Sequence, residues 1–221
     1  MKLLQNDSAG VLELFQYLYK HHISLTSIAD EVIQPALVLI GEMWKRGTLG
    51  VNQEHLASEV AKEAMIRFAS EVRRKSQNGL TAVCACPEHE YHDLGLRAFA
   101  YVLQTEGWNV HYLGANTPFD ELQLFVTTVK PHAVCLSITM TELSPEFYAG
   151  MKSLSGSTHA VDGKLVVGSY HAGMFRREDL SCDCLAGSAG DALSYLRDAF
   201  QLKPGPKKSQ PSGSADEEKG R

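Results

Sequence analysis

No stretch of this 221-residue sequence is apolar for long enough to span a bilayer, and its start lacks the basic-then-apolar pattern of a secretory signal. The cytoplasm is therefore the expected compartment, with no membrane partner. Positive charge is also short: 21 Lys and Arg stand against 26 Asp and Glu, a formal charge of −5. That removes the electrostatic footprint of a nucleic-acid surface, so direct DNA binding is not expected. Cysteine is scarce. The five present include no Cys-x-x-Cys and no matched histidine spacing, so neither a zinc nor a redox site has its usual signature. Four of them fall as Cys84/Cys86 and Cys182/Cys184, a spacing that puts each pair on one face of a strand. With Cys135 they are expected to be buried core residues.

What remains is ordinary globular composition, 44% hydrophobic and 21% charged, in a chain long enough for one large core or two small ones. Residues 1–76 carry helical periodicity. Leu12, Leu14, Phe15 and Leu18 form one stripe, and Ala29, Val32 and Ile33 form another behind a cap at Ser24 or Thr26. Pro35 lacks a donor and should break or kink that second helix. A third segment, 36–44, ends at Arg46-Gly47. The last, 51–74, offers Leu56, Val60, Ala64, Ile66 and Phe68 for packing. Counting Pro35 as a boundary gives a four-helix bundle.

From Leu80 the period changes. Short apolar runs at 80–86, 108–113, 133–138, 164–167 and 182–186 read as five strands. Helical segments near 92–105, 119–129, 144–154 and 191–200, with a weak one near 172–179, separate them. The expected fold class is therefore α/β: a helical bundle (1–76) followed by a flavodoxin-like, Rossmann-type five-stranded parallel sheet (79–203). Residues 204–221 have almost nothing apolar and read as a disordered tail.

One hexapeptide carries the chemistry: Glu90-Tyr91-His92-Asp93-Leu94-Gly95, directly after the first strand. Glu90 can accept a hydrogen bond from one ring nitrogen of His92 and leave the other for a metal. Gly95 lets a bulky group approach the backbone. Alone, such a histidine reads as a solvated loop residue. Two further strand ends alter that reading: Ser137-Ile138-Thr139 after the third strand and Gly168-Ser169 after the fourth. Small and hydroxylated residues there leave a slot at the end of the sheet where ligands of this fold class sit.

The pattern resembles the cobalamin (vitamin B12) binding domains, which carry Asp/Glu-x-His-x-x-Gly, a Ser-x-Leu/Thr element and a Gly-Gly pair. The resemblance implies His92 as the lower cobalt ligand, Glu90 as its hydrogen-bond partner, and Asp93 in the same motif. It implies Gly95, Ser137, Thr139, Gly168 and Ser169 around the nucleotide tail, with Ser169 standing where the family has its second glycine. In the helical half, Trp44, nine residues, and Glu54-His55 resemble the Trp-x9-Glu-His signature of the B12-dependent photoreceptors of the CarH/LitR type. That likeness implies Trp44, Val51, Glu54 and His55 around an adenosyl group on the upper face, and adenosylcobalamin as the cofactor.

Two departures qualify it. The sequence starts at the bundle, with no MerR-type DNA-binding domain, and Lys45 replaces the histidine that those photoreceptors place after the Trp. Lys45 leaves His55, or water, as the upper ligand once the adenosyl group is lost. The expected function is a stand-alone, non-enzymatic, adenosylcobalamin-binding light sensor. It would signal as a homo-oligomer or through a separate transcriptional regulator. A corrinoid shuttle for methyl transfer and a passive cobalamin carrier are the alternatives.

Overall fold

The structure, a computed structural model, describes residues 2–202; the tail expected at 204–221 lies outside the described residues. Four α-helices precede the sheet: α1 (Ser8–Lys20), α2 (Leu25–Ser27), α3 (Gln34–Lys45) and α4 (Val51–Glu71). Asp7 caps α1 by accepting from the Gly10 amide, and Ser24 caps α2 by accepting from Ser27. Pro35 does not interrupt the chain as a loop. A π-helical turn, Ile28–Ile33, joins α2 to α3 directly ahead of Pro35, the second residue of α3, and the helical rod continues through the proline. The expected kink is thus a widened helical turn. Val60, Ala64 and Phe68 pack inward on α4 as the periodicity indicates, but Leu14, Leu56 and Ile66 face outward.

The α/β half holds β1 (Thr81–Pro87), α5 (Leu94–Thr105), β2 (Asn109–Thr117), α6 (Phe119–Val129) and β3 (Ala133–Ser137). α7 (Pro145–His159), β4 (Lys164–Gly168), β5 (Cys184–Ala186) and α8 (Ala189–Ala199) complete it. All strand pairs are parallel, in the order β2-β1-β3-β4-β5, which is the flavodoxin-like order. The expected helix near 172–179 is only a 3-10 turn, Ala172–Met174.

Alternation along the strands divides the core. Val83, Ala85, Val134, Leu136, Leu165 and Val167 pack with residues of α6 and α7. Ala82, Cys84, Cys86, Cys135 and Val166 face α5 and α8, and that layer continues without a gap into Phe15, Ile28, Val60 and Phe68 of the bundle. Cys84 and Cys86 therefore share a face as expected. Cys182 and Cys184 do not: Cys182 precedes β5 and joins the α6–α7 side, whereas Cys184 packs on the other.

Polar ties reinforce the shared core. Asp30, in the π-helical turn, accepts from the Ala189 and Gly190 amides at 2.8 and 2.9 Å. A carboxylate of the bundle thus caps the N-terminus of α8. Among the described residues no helix is long and apolar enough to cross a membrane.

Candidate cobalamin site

The strand order reverses at β1, between β2 and β3, and the turn after β1 emerges at that switch point. Glu90 lies in this turn and is fully buried, yet it is saturated with donors. Its Oε1 accepts from the His92 amide (2.9 Å) and from His92 Nδ1 (2.7 Å). Its Oε2 accepts from the Thr139 amide (2.6 Å), the Thr139 hydroxyl (2.8 Å) and the Met140 amide (3.1 Å). Burial alone would raise this carboxyl. The bonds from His92 and Thr139 win and bring it down to about 2.

With a permanent carboxylate on Nδ1, the proton of neutral His92 sits on Nδ1 and the Nε2 lone pair is free. The His92 side chain is 74% exposed, so that lone pair is presented outward. The Glu90 bond raises the imidazole above its usual value, against an opposing effect of burial. Glu54 on α4 is near enough to add to the upward push. Lys62, further along α4, is 3.4 Å from Asp93 Oδ1, so α4 packs beside the turn that carries His92.

Thr139, expected to line the tail pocket, braces the Glu90–His92 pair, its hydroxyl oxygen also lying 2.9 Å from Nδ1. Ser137 and Gly168 end β3 and β4 as paired neighbours in the sheet. A Cβ on Gly168 would meet only the Leu136 carbonyl, at 3.6 Å, and one on Gly95 would meet nothing within 4 Å. Ser169 is buried and its hydroxyl accepts from the His171 amide, so it shapes the turn rather than projecting into the slot. Asp93 is spoken for by the protein: its carboxylate is engaged by Arg97, Tyr112 and Lys62. Burial would raise it, but the Tyr112 hydroxyl, Arg97 and Lys62 hold it below the usual carboxylate range.

On the helical side, Trp44 ends α3 and Val51 begins α4, 47% and 53% exposed. Glu54 and His55 form a pair of their own, Nδ1 to Oε2 at 2.5 Å, and Ser58 donates to the other Glu54 oxygen at 2.9 Å. Lys45 is held near Glu42, 3.7 Å away. Beside the bundle, a cleft of about 430 Å³ runs along α3 past Pro35, Leu39, Met43 and Arg46 to Tyr170 in the loop after β4.

Two supports of the His92 turn had no sequence signal. Cys86 directs its thiol to the His92 carbonyl at 3.7 Å, and Tyr112 reaches in from β2. Alternation marks Cys86 as a core residue, but not as a donor to the turn.

Among the described residues no three His, Cys, Asp or Glu side chains are grouped to hold an ion. The family described as "B12 binding domain" matches residues 80–197, and a second family of the same description matches residues 2–68. The chain belongs to the B12-binding domain family. The HTH-type transcriptional repressor CarH of Myxococcus xanthus is 33% identical over 120 residues, 53% of this chain and 39% of that protein. The repressor CarA of the same organism is 35% identical over 111 residues, 50% of this chain and 38% of that one. This chain thus spans about two fifths of the length of either repressor. Dimethylamine corrinoid protein 1 of Methanosarcina acetivorans is 21% identical over 182 residues, covering 81% of this chain and 85% of that one. The fold is that of the Methanosarcina barkeri monomethylamine corrinoid protein, with a TM-score of 0.68 at 16% identity over 90% of this chain and 94% of the other.

Proposed function

We propose that this chain is an adenosylcobalamin-binding, light-responsive regulatory protein. The reading is supported by α4, whose Lys62 stands 3.4 Å from the carboxylate of Asp93, the residue after His92. The first turn of that helix carries Val51, Glu54 and His55, and Trp44 lies in the last turn of α3 just before it, with the indole and the valine exposed. Bound there, adenosylcobalamin supplies a cobalt–carbon bond that light breaks. His92 would hold the metal through Nε2 while Glu90 keeps its tautomer. Trp44 and Val51 would exclude water from the adenosyl group, and Glu54 would accept from its sugar hydroxyls. Gly95, Ser137 and Gly168 leave room for the nucleotide tail.

Without the adenosyl group the α3–α4 turn would have no such contact, and His55 would be the protein group there able to hold the metal. Its Nδ1 is already committed to Glu54, as that of His92 is to Glu90. The altered turn changes self-association or binding to a separate regulator, a two-state switch biased by ligand contacts. The chain acts without catalysis and without touching DNA through these residues.

A corrinoid shuttle for methyl transfer is the second reading. It is favoured by the similarity to the dimethylamine corrinoid protein, which runs over most of both chains.

The test is reconstitution with adenosyl-, methyl- and hydroxocobalamin, with absorption spectra and gel filtration before and after green light. The proposal expects tightest binding of the adenosyl form and a light-dependent change in both readouts. Preference for methylcobalamin, with dark and illuminated samples alike in gel filtration, would select the shuttle.

A further inference from the structure

The turn carrying His92 is fixed at the residue that follows the histidine as firmly as at the histidine itself. Asp93 Oδ2 accepts from Tyr112 Oη at 2.8 Å and from Arg97 Nη2 at 2.9 Å. The Tyr112 hydroxyl is also 3.2 Å from the Asp93 carbonyl, and the Arg97 guanidinium lies 4.3 Å from the centre of the Tyr112 ring. These three groups belong to α5 and β2, within the α/β half.

The other oxygen of Asp93 is turned elsewhere. Lys62 Nζ, on α4 of the helical half, stands 3.4 Å from Oδ1. Lys62 also meets Glu59, at 3.0 Å, but the Glu59 side chain is 70% exposed and that of Asp93 only 11%. Solvent screens the first contact far more than the second. Lys62 lies eight residues beyond Glu54, about 12 Å along the same helix. One helix therefore carries both Glu54, proposed above for the adenosyl side, and Lys62, which reaches the turn that carries His92.

We propose that Lys62 is a positioning residue for His92, acting through Asp93, so that α4 sets both faces of the cobalamin slot together. Movement of α4 after a change above the metal is then passed to the backbone next to the lower ligand. The inference rests on His92 as the metal ligand, and deepens that reading by naming what holds it from the other half.

The experiment uses the full chain loaded with cob(II)alamin. With 15N-histidine in the protein, electron paramagnetic resonance reads the doublet that His92 Nε2 would impose on cobalt, distinct from the triplet of the cofactor's own 14N base, and titration reads affinity. Lys62→Met should weaken binding by roughly tenfold, as loss of an outer-shell partner does, and lower the fraction of cobalt that shows the splitting. Lys62→Arg should restore most of both. Lys62→Met combined with Asp93→Asn should cost less than the two single losses added, because the pair acts as a unit. Lys75→Met, which removes the distant ion pair to Glu106, controls for general loosening.

Splitting and affinity unchanged in Lys62→Met would overturn the coupling while leaving the ligand reading intact. So would equal losses in Lys75→Met, or strictly additive losses in the double variant. No 15N doublet in the unmodified protein, or a 15N doublet that survives His92→Ala, would overturn the ligand reading and the coupling with it.

Discussion

Glu90→Gln is the sharpest test of the site, because one atom changes and five hydrogen bonds are at stake. A carboxylate accepts on both oxygens; an amide accepts on one and donates on the other. Whichever way the glutamine is turned, its NH2 faces two backbone or ring donors, either those of His92 or those of Thr139 and Met140. The structure also supplies a magnitude. Glu90 falls from 4.5 to about 2, and each unit is worth 1.36 kcal/mol, so its ionised form contributes about 3 kcal/mol to folding. For a chain of this length that corresponds to a fall in Tm of roughly 6–12 °C.

The sign with pH follows from the direction of each shift. The contribution of a depressed carboxyl is complete above its ordinary value near 4.5 and disappears as the pH falls through about 2. His92 is raised by the same contact, so its share is complete below 6.5 and fades as the pH rises through the elevated value. The stability gap between wild type and variant should be widest at about pH 5–6 and close towards pH 2. Urea denaturation of the apoprotein across that range measures it. A loss below about 1 kcal/mol at pH 5.5, or a gap that grows on acidification below pH 4, would refute the reasoning.

Three further outcomes are expected. Asp30→Asn removes an anion from the N-terminus of α8 and should cost about 1 kcal/mol in denaturant unfolding at neutral pH; no loss would mean that Asn caps equally well across the two halves. In the native protein an alkylating reagent at pH 8 should label Cys184 first. The other four thiols are buried, and burial pushes the Cys182 thiol up to about 12. Peptide mass spectrometry showing Cys84 or Cys135 labelled as fast would contradict the packing. Gly95→Leu should leave the Tm within a few degrees, since a Cβ there meets nothing. It should still weaken cobalamin binding by at least about tenfold, read by absorption titration. Unchanged binding would move the ligand away from this turn.

The architecture was legible because the period changes once, near Leu80, and the buried strands read as continuous apolar runs. Local rules misjudged the places where tertiary pairing overrides them. β2 is expected from its apolar run to stop at Leu113, short of Gly114 and Asn116. Both do have positive φ, yet pairing with β1 resumes after register shifts, at Ala85–Gly114 and Pro87–Thr117. Leu56 and Ile66 fit the helical stripe in spacing, but the neighbours that would cover them are absent among the described residues, and no single-sequence pattern supplies neighbours. The same limit applies at the site. Glu90 beside His92 is a two-residue relation and can be read locally. The arrivals of Tyr112, Thr139 and Lys62 depend on strand order and on how α4 lies across α5.

The π-helical turn ahead of Pro35 acts as gearing in the rod from Leu25 to Lys45. A π turn takes in one more residue than an α turn, and each residue of an α-helix advances the side-chain direction by about 100°. Asp30, inside that turn, is anchored on α8, while Trp44 rides at the far end. One residue of helical phase therefore turns the Trp44 indole by about 100° about the helix axis relative to the anchored Asp30.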